Sequence, residues 1–134
     1  MVKQPLRSPE AGAGSIMTIA SISAHQASRG QYTSDYCMSK GAVLSLIKQL
    51  GVEIAEYGIR VNCISPGYIS TGLTASLVNK RPKLGEIFTT EPPMKRMGRR
   101  SDLKGATVFL LSDASSYMTS SEILISGGMH AGRL

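Results

Sequence analysis

Cysteine is scarce in this sequence: only Cys37 and Cys63 occur, far apart and without the close spacing of a metal-binding pair. That excludes a disulfide framework and a zinc site, and a reducing cytosol is the expected compartment. Histidine is equally sparse. His25 and His130 lie near opposite ends with no carboxylate at ligand spacing, so both are expected as ordinary surface or loop residues, and no metal is expected. No apolar run approaches the ~20 residues of a membrane-spanning helix. The opening Met1-Val2-Lys3-Gln4-Pro5-Leu6-Arg7 carries a proline and no apolar core of a secretory signal. The charge is unbalanced at +6, much of it in Lys80, Arg81 and Lys83 and in Lys95, Arg96, Arg99, Arg100 and Lys104. No aromatic residue interleaves the second cluster, so it lacks stacking platforms for bases, and no nucleic acid partner is expected. The cluster reads as a solvated loop and helix start, with an anionic substrate or cofactor phosphate as the alternative.

What is present is a sequence of 134 residues, 42% hydrophobic and 18% charged, which fits one soluble globular domain. Residues 1–13 hold Pro5, Pro9 and Gly12 and read as a lead-in. Ser15-Ile16-Met17-Thr18-Ile19-Ala20 is short and nearly continuously apolar, the pattern of a strand buried on both faces. From about Asp35 to Tyr57 the period becomes helical: Met38, Ala42, Leu46, Ile47, Leu50 and Ile54 form one apolar stripe, with Ser34 or Asp35 as cap and Gly58 as terminator. Ile59 to Ser65 reads as a second strand stopped by Pro66-Gly67. Residues 68–100 contain Pro82, Pro92 and Pro93 and lack a clean period beyond a weak helical patch from Leu73 to Val78. So long an irregular stretch is more often a working lid than idle chain. Ser101 is expected to cap a helix over Leu103 to Leu111, and Ile123-Leu124-Ile125 to form a last strand before Gly127-Gly128. Strands alternating with helices predict an α/β fold with a parallel sheet.

The chemistry concentrates in Tyr36-Cys37-Met38-Ser39-Lys40. At the start of a helix, residues i and i+4 share a face, a turn apart. A free tyrosine, with a pKa near ~10, is a poor proton donor or acceptor at neutral pH. A neighbouring cation favours phenolate and makes acid–base work feasible. Alone this pair is a weak signal. Context strengthens it: Ser21 ends a strand, and the Pro66-Gly67 turn followed by Thr71 leaves the next strand at the same edge, where parallel sheets place their ligands.

Taken together, Gly14-Ser15-Ile16-Met17-Thr18-Ile19-Ala20-Ser21, Tyr36-Cys37-Met38-Ser39-Lys40-Gly41-Ala42 and Arg60-Val61-Asn62-Cys63-Ile64-Ser65-Pro66-Gly67-Tyr68-Ile69-Ser70-Thr71 resemble the short-chain dehydrogenase/reductase family. Pro93-Met94-Lys95-Arg96-Met97-Gly98-Arg99, the stretch from Phe109 to Tyr117, and Ser126-Gly127-Gly128 extend the likeness to about residue 129. The pattern is most similar to the branch of polyol dehydrogenases and sorbose or carbonyl reductases. The resemblance implies the C-terminal half of a Rossmann-type, doubly wound α/β domain, with residues 14–134 as a catalytic half. It implies hydride transfer between NADP(H) and a carbonyl or alcohol substrate, NAD remaining open. Tyr36 would be the general acid or base, Lys40 would hold the nicotinamide ribose, and Ser21 would stabilise the substrate oxygen as an oxyanion-hole donor does. Ser23 is the alternative to Ser21, because many members have a shorter gap to the tyrosine. Pro66, Gly67, Ile69 and Thr71 would line the nicotinamide and its nearest phosphate.

The departures are equally specific. No glycine-rich turn precedes Ser15, so the helix N-terminus that receives a pyrophosphate is not in the sequence. Roughly half a usual domain would precede Ser15, and Met1-Val2-Lys3-Gln4 reads like the tail of its last helix. The resemblance implies Asp-Gly-Gly where Ser126-Gly127-Gly128 stands, and a glycine after the threonine where Thr119-Ser120-Ser121 stands. The expectation is therefore either a truncated oxidoreductase, cytoplasmic and able to form homo-oligomers, or a non-catalytic remnant that acts by association with full-length relatives.

Overall fold

The computed structural model describes residues 14–132, so the lead-in expected over residues 1–13 lies outside the described residues. The elements run β1 (Ser15–Ile19), α1 (Ser34–Glu53), β2 (Arg60–Pro66), α2 (Gly72–Lys80), α3 (Lys83–Thr90), α4 (Lys104–Leu111) and β3 (Ser121–Ile125). β2 is central and parallel to both neighbours in a three-stranded sheet, order β1-β2-β3. Every residue from Val61 to Pro66 is buried, the polar Asn62 and Ser65 included, as in a central parallel strand with both faces covered. This is the α/β, parallel-sheet architecture that the alternation of patterns predicted.

Alternation along β2 sends Val61 and Cys63 to one face, where they join Ala20 and the α1 residues Leu44 and Ile47 in a single cluster. Burying the Leu44, Ile47 and Val61 side chains contributes about 1.5–3 kcal/mol each. α4 packs on β1 and β2 with Leu110 fully buried, and Ser15 Oγ donates to the Leu110 carbonyl at 2.7 Å. The polar core is structural: Arg60 donates to Ser115 Oγ at 2.8 Å and to the Ser112 carbonyl at 3.0 Å. Asn62 donates to the Met118 carbonyl and accepts from Ser121 N–H, so it joins the returning chain to β3.

Several local expectations are corrected. The buried residues of α1 are Leu44, Ile47 and Gly51, with Leu50 and Ile54 packed beside them, whereas Met38 is 73% and Leu46 54% exposed. The predicted stripe merged two faces of one helix. Thr33, not Ser34 or Asp35, occupies the cap position and makes no side-chain capping bond. The α-helix ends at Glu53, and Gly58 (φ 72°) closes the short 3-10 turn Ala55–Tyr57 that follows. β1 is not buried on both faces: Ile16 and Ile19 are exposed. The segment read as irregular holds α2 and α3, and α3 buries Leu84 and Phe88 one turn apart. Pro82 sits at its N-terminal boundary, where a missing N–H costs nothing. Ser101 lies inside the 3-10 turn Arg100–Leu103, and the capping carboxylate is Asp102, which accepts from Arg99 N–H at 2.8 Å.

The Thr119-Ser120-Ser121 departure also acquires a cause. Ser120 adopts φ 54°, the left-handed region that favours glycine. Its amide donates to the Val61 carbonyl at 2.7 Å and its hydroxyl to the Lys48 carbonyl at 3.2 Å, so the strained residue still bridges β2 and α1. Gly51 is what admits it: a Cβ there would stand 2.9 Å from Ser120 N. At Gly41 in the same helix a Cβ would meet nothing within 4 Å. Helix propensity alone favours Gly→Ala by up to about 1 kcal/mol. Gly41→Ala is therefore expected to raise the urea midpoint, while Gly51→Ala is expected to lower it, at a cost in stability of about 1–3 kcal/mol through overpacking. A matched pair of denaturation curves checks the opposite signs.

Candidate functional site

Parallel pairing brings the carboxyl ends of the strands to one edge, with Ile19 opposite Ile64 and Pro66 opposite Ile125. At this edge Ala20 N–H still bonds the Ile64 carbonyl, which carries β1 one residue further, to Ser21. Ser21 is buried and extended; its Oγ accepts from Ser23 N–H at 3.1 Å and caps the 3-10 turn Ile22–Ala24. Accepting that bond uses a lone pair and leaves the hydroxyl proton to donate. The alternative, Ser23, has its Oγ 3.4 Å from Ser28 Oγ within the loop.

The first two turns of α1 supply the tyrosine and the lysine. Lys40 Nζ stands 5.7 Å from the centre of the Tyr36 ring, within range of a cation–π contact. The same ammonium donates to the Ile19 carbonyl at 2.9 Å, two residues before Ser21. Lys40 therefore ties the helix to the end of β1, and Tyr36 remains 44% exposed beside it. The i, i+4 spacing read from the sequence is realised as one face, oriented by a backbone carbonyl.

Pro66 to Thr71 form one run leaving β2. Gly67 N–H donates to the Ile125 carbonyl at 3.0 Å, and a Cβ on Gly67 would lie 2.9 Å from Ser126 Cα, so only glycine fits. Ile69 forms a parallel bridge with Gly98, with Ser70 N–H donating to the Gly98 carbonyl and Gly98 N–H to the Tyr68 carbonyl, both at 2.8 Å. Thr71 caps α2 in a reciprocal box: its Oγ1 accepts from Thr74 N–H, and Thr74 Oγ1 accepts from Thr71 N–H at 2.8 Å. Ser126, in the position where an aspartate was implied, is buried with its Oγ 2.8 Å from His130 Nδ1. His25 is likewise occupied, its Nε2 2.7 Å from Glu122 Oε1.

One constellation was not legible in the sequence. Tyr68 OH donates to Glu91 Oε2 at 3.0 Å and accepts from Gln31 Nε2 at 3.0 Å, and its ring stacks on Phe88 at 4.3 Å between centroids. Burial, followed by the Glu91 charge, pushes the Tyr68 phenol up to about 12. Its three partners come from separate loops and helices, and the only sequence signal was an aromatic residue directly after Pro66-Gly67. The basic cluster resolves in part: Arg96 Nη1 bonds Asp102 Oδ2 at 2.7 Å, and that bond, with the Arg99 N–H, holds the Asp102 carboxyl below the usual carboxylate range. A cavity of ≈ 160 Å³ lies beside this pair, bounded by Tyr68, Ile69, Met94, Gly98 and Gly127. An open cleft of ≈ 480 Å³ lies over the loop after Ser21, lined by Ser23, Gln26, Ser28, Gln31, Thr33 and Cys37. Among the described residues no helix is long and apolar enough to cross a membrane.

The chain is similar to known proteins along most of its length. Residues 1–130 match the family described as enoyl-(acyl carrier protein) reductase. The chain is 40% identical over 117 residues to the galactitol 2-dehydrogenase (L-tagatose-forming) of Cereibacter sphaeroides, covering 87% of this chain and 46% of that protein. It is 42% identical over 117 residues to the NADP-dependent mannitol dehydrogenase of Hypocrea jecorina, covering 87% and 42%. A short-chain type dehydrogenase/reductase of known structure from Mycobacterium marinum superposes with a TM-score of 0.82 at 43% identity, covering 90% of this chain and 46% of the other. The chain thus spans about half the length of the curated relatives it matches.

Thr71→Ala removes one side of the box that starts α2. The expected cost is about 1 kcal/mol, with faster amide exchange confined to the first turn of α2, measurable by hydrogen exchange on the folded chain.

Proposed function

This chain belongs to the short-chain dehydrogenase/reductase family, and we propose that residues 14–134 are the catalytic half of an oxidoreductase that interconverts a carbonyl and an alcohol with NADP(H). The observation that carries this reading is the position of Lys40, bonded to the Ile19 carbonyl and standing over Tyr36. A lysine so placed orients the phenol at the carboxyl edge of the sheet, where parallel α/β sheets bind ligands.

The residues present fit the nicotinamide end of a dinucleotide. Of the three N–H donors of Lys40, one is spent on Ile19, which leaves others for ribose hydroxyls. Pro66, Gly67, Ile69 and Thr71 supply a backbone wall held at fixed distance by the Gly67–Ser126 and Ile69–Gly98 approaches. A nicotinamide held there would supply or accept the hydride, and the chain's own residues would handle the proton. Tyr36 gives its phenolic proton to the carbonyl oxygen during reduction and takes the hydroxyl proton during oxidation. Ser21 donates its hydroxyl proton to the same oxygen and stabilises the charge that develops there. The names of the relatives support a small polyol or its ketose as substrate and NADP as cofactor. A cytoplasmic location and homo-oligomerisation complete the reading, the latter supported by the exposed Met38, Leu46 and Val52 on α1.

A second reading, a non-catalytic chain that associates with full-length relatives, is favoured by the exposed Ile16 and Ile19 of β1, an edge strand with an open hydrogen-bonding side.

A chimera separates the two. The front half of the Cereibacter galactitol dehydrogenase, joined to residues 14–134, is expected to reduce a ketose with NADPH. Tyr36→Phe in that chimera is expected to lower kcat by roughly 10²–10⁴ without loss of fold. Lys40→Ala is expected also to raise the KM for NADPH. A folded but inactive chimera, or full activity in both variants, contradicts the oxidoreductase reading.

A further inference from the structure

The α2–α3 segment crosses between the end of β2 and the last helix and strand, and three residues from separate parts of the chain meet at its base. Tyr68 follows the Pro66-Gly67 turn, Glu91 directly follows α3, and Gln31 belongs to the loop between β1 and α1. Their contacts form one relay: Gln31 Nε2 donates to Tyr68 OH at 3.0 Å, and Tyr68 OH donates to Glu91 Oε2 at 3.0 Å. Phe88, buried in α3, stacks on the same ring at 4.3 Å and 34°. The phenol therefore acts as acceptor for one element and donor to another, and a hydroxyl is the smallest group that can do both.

We propose that Tyr68 is the latch of a lid: its phenol fastens the α2–α3 segment to the loop that follows Ser21. The Gln31 bond is the one that crosses from the segment to the loop, and the Glu91 bond, between the two ends of the segment, holds the phenol in place to accept it. The bond to the Glu91 carboxylate is charge-assisted and is the stronger of the two. Gln31 and Ser28 line the open cleft over the loop after Ser21, and Tyr68 and Ile69 line the smaller cavity. The latch thus joins a residue that lines one opening, Gln31, to a residue that lines the other, Tyr68. Its use in admitting substrate rests on the oxidoreductase reading, but the latch itself does not. Tyr68 is a positioning residue here, since it acts by holding Glu91 and Gln31.

Hydrogen exchange of the 134-residue chain tests it without any catalytic assay. Tyr68→Phe keeps the stacking on Phe88 and removes both hydrogen bonds. Exchange is expected to rise roughly tenfold in α2–α3 and in residues 26–33 together. Glu91→Ala is expected to give the same paired release, and Glu91→Gln, which restores an acceptor, to rescue most of the protection. The double variant Tyr68→Phe with Gln31→Ala is expected to add nothing beyond either single change. Gln31→Ala approaches the latch from the loop side and serves if either other variant is poorly folded. It is expected to release α2–α3, which it does not otherwise touch through this network. Release of only one segment, additive effects in the double variant, or unchanged α2–α3 exchange in Gln31→Ala would overturn the proposal.

Discussion

Everything in this molecule is referred to β2. A strand with all residues from Val61 to Pro66 buried and parallel partners on both sides cannot slip without moving its apolar set to the wrong face. Its register fixes where β1 and β3 end, and so fixes the edge at which Ser21, the start of α1 and the Pro66 to Thr71 run assemble. The Lys40–Ile19 bond then sets the rotation of α1 against that edge. The tyrosine is placed by a strand it does not belong to.

The frame and the shared face of Tyr36 and Lys40 were legible in the sequence because short, continuous apolar runs and a helical period are strong local signals. β2 and the Tyr36/Lys40 face are the clearest cases. What failed did so for local reasons. Met38 and Leu46 are as apolar as Leu44 and Ile47, and periodicity cannot say which of two adjacent stripes meets the core. α3 was hidden by Pro82, which reads as a breaker in isolation but is harmless at a helix start. The Tyr68, Glu91 and Gln31 network is invisible to any spacing rule, since its members are brought together only by the tertiary path of three connections.

The two departures from the family pattern are both absorbed within the frame. Ser120 takes a left-handed conformation beside Gly51, and its hydroxyl and amide bridge α1 and β2 in return. Ser126 replaces an implied carboxylate by a hydroxyl whose oxygen meets both the ring and the amide of His130. Neither change touches Tyr36, Lys40 or Ser21. Ser126 does stand behind Gly67, so of the two changes only Ser120 lies away from the Pro66 to Thr71 run. The +6 charge has an equally local reading, since Arg96 is bonded to Asp102 and Lys95 donates to the Thr90 carbonyl.

On the proposed reading this chain carries the nicotinamide end of a dinucleotide site, with no pyrophosphate cradle among the described residues. Titration of the isotopically labelled 134-residue chain with nicotinamide mononucleotide, followed by NADPH, addresses it directly by amide chemical shifts. Shifts are expected at Tyr36 to Lys40 and at Gly67 to Thr71, with both ligands bound no more tightly than roughly millimolar, because several charge-assisted phosphate bonds are missing. Micromolar binding of NADPH, or shifts confined to the basic stretch from Lys95 to Lys104, would contradict it.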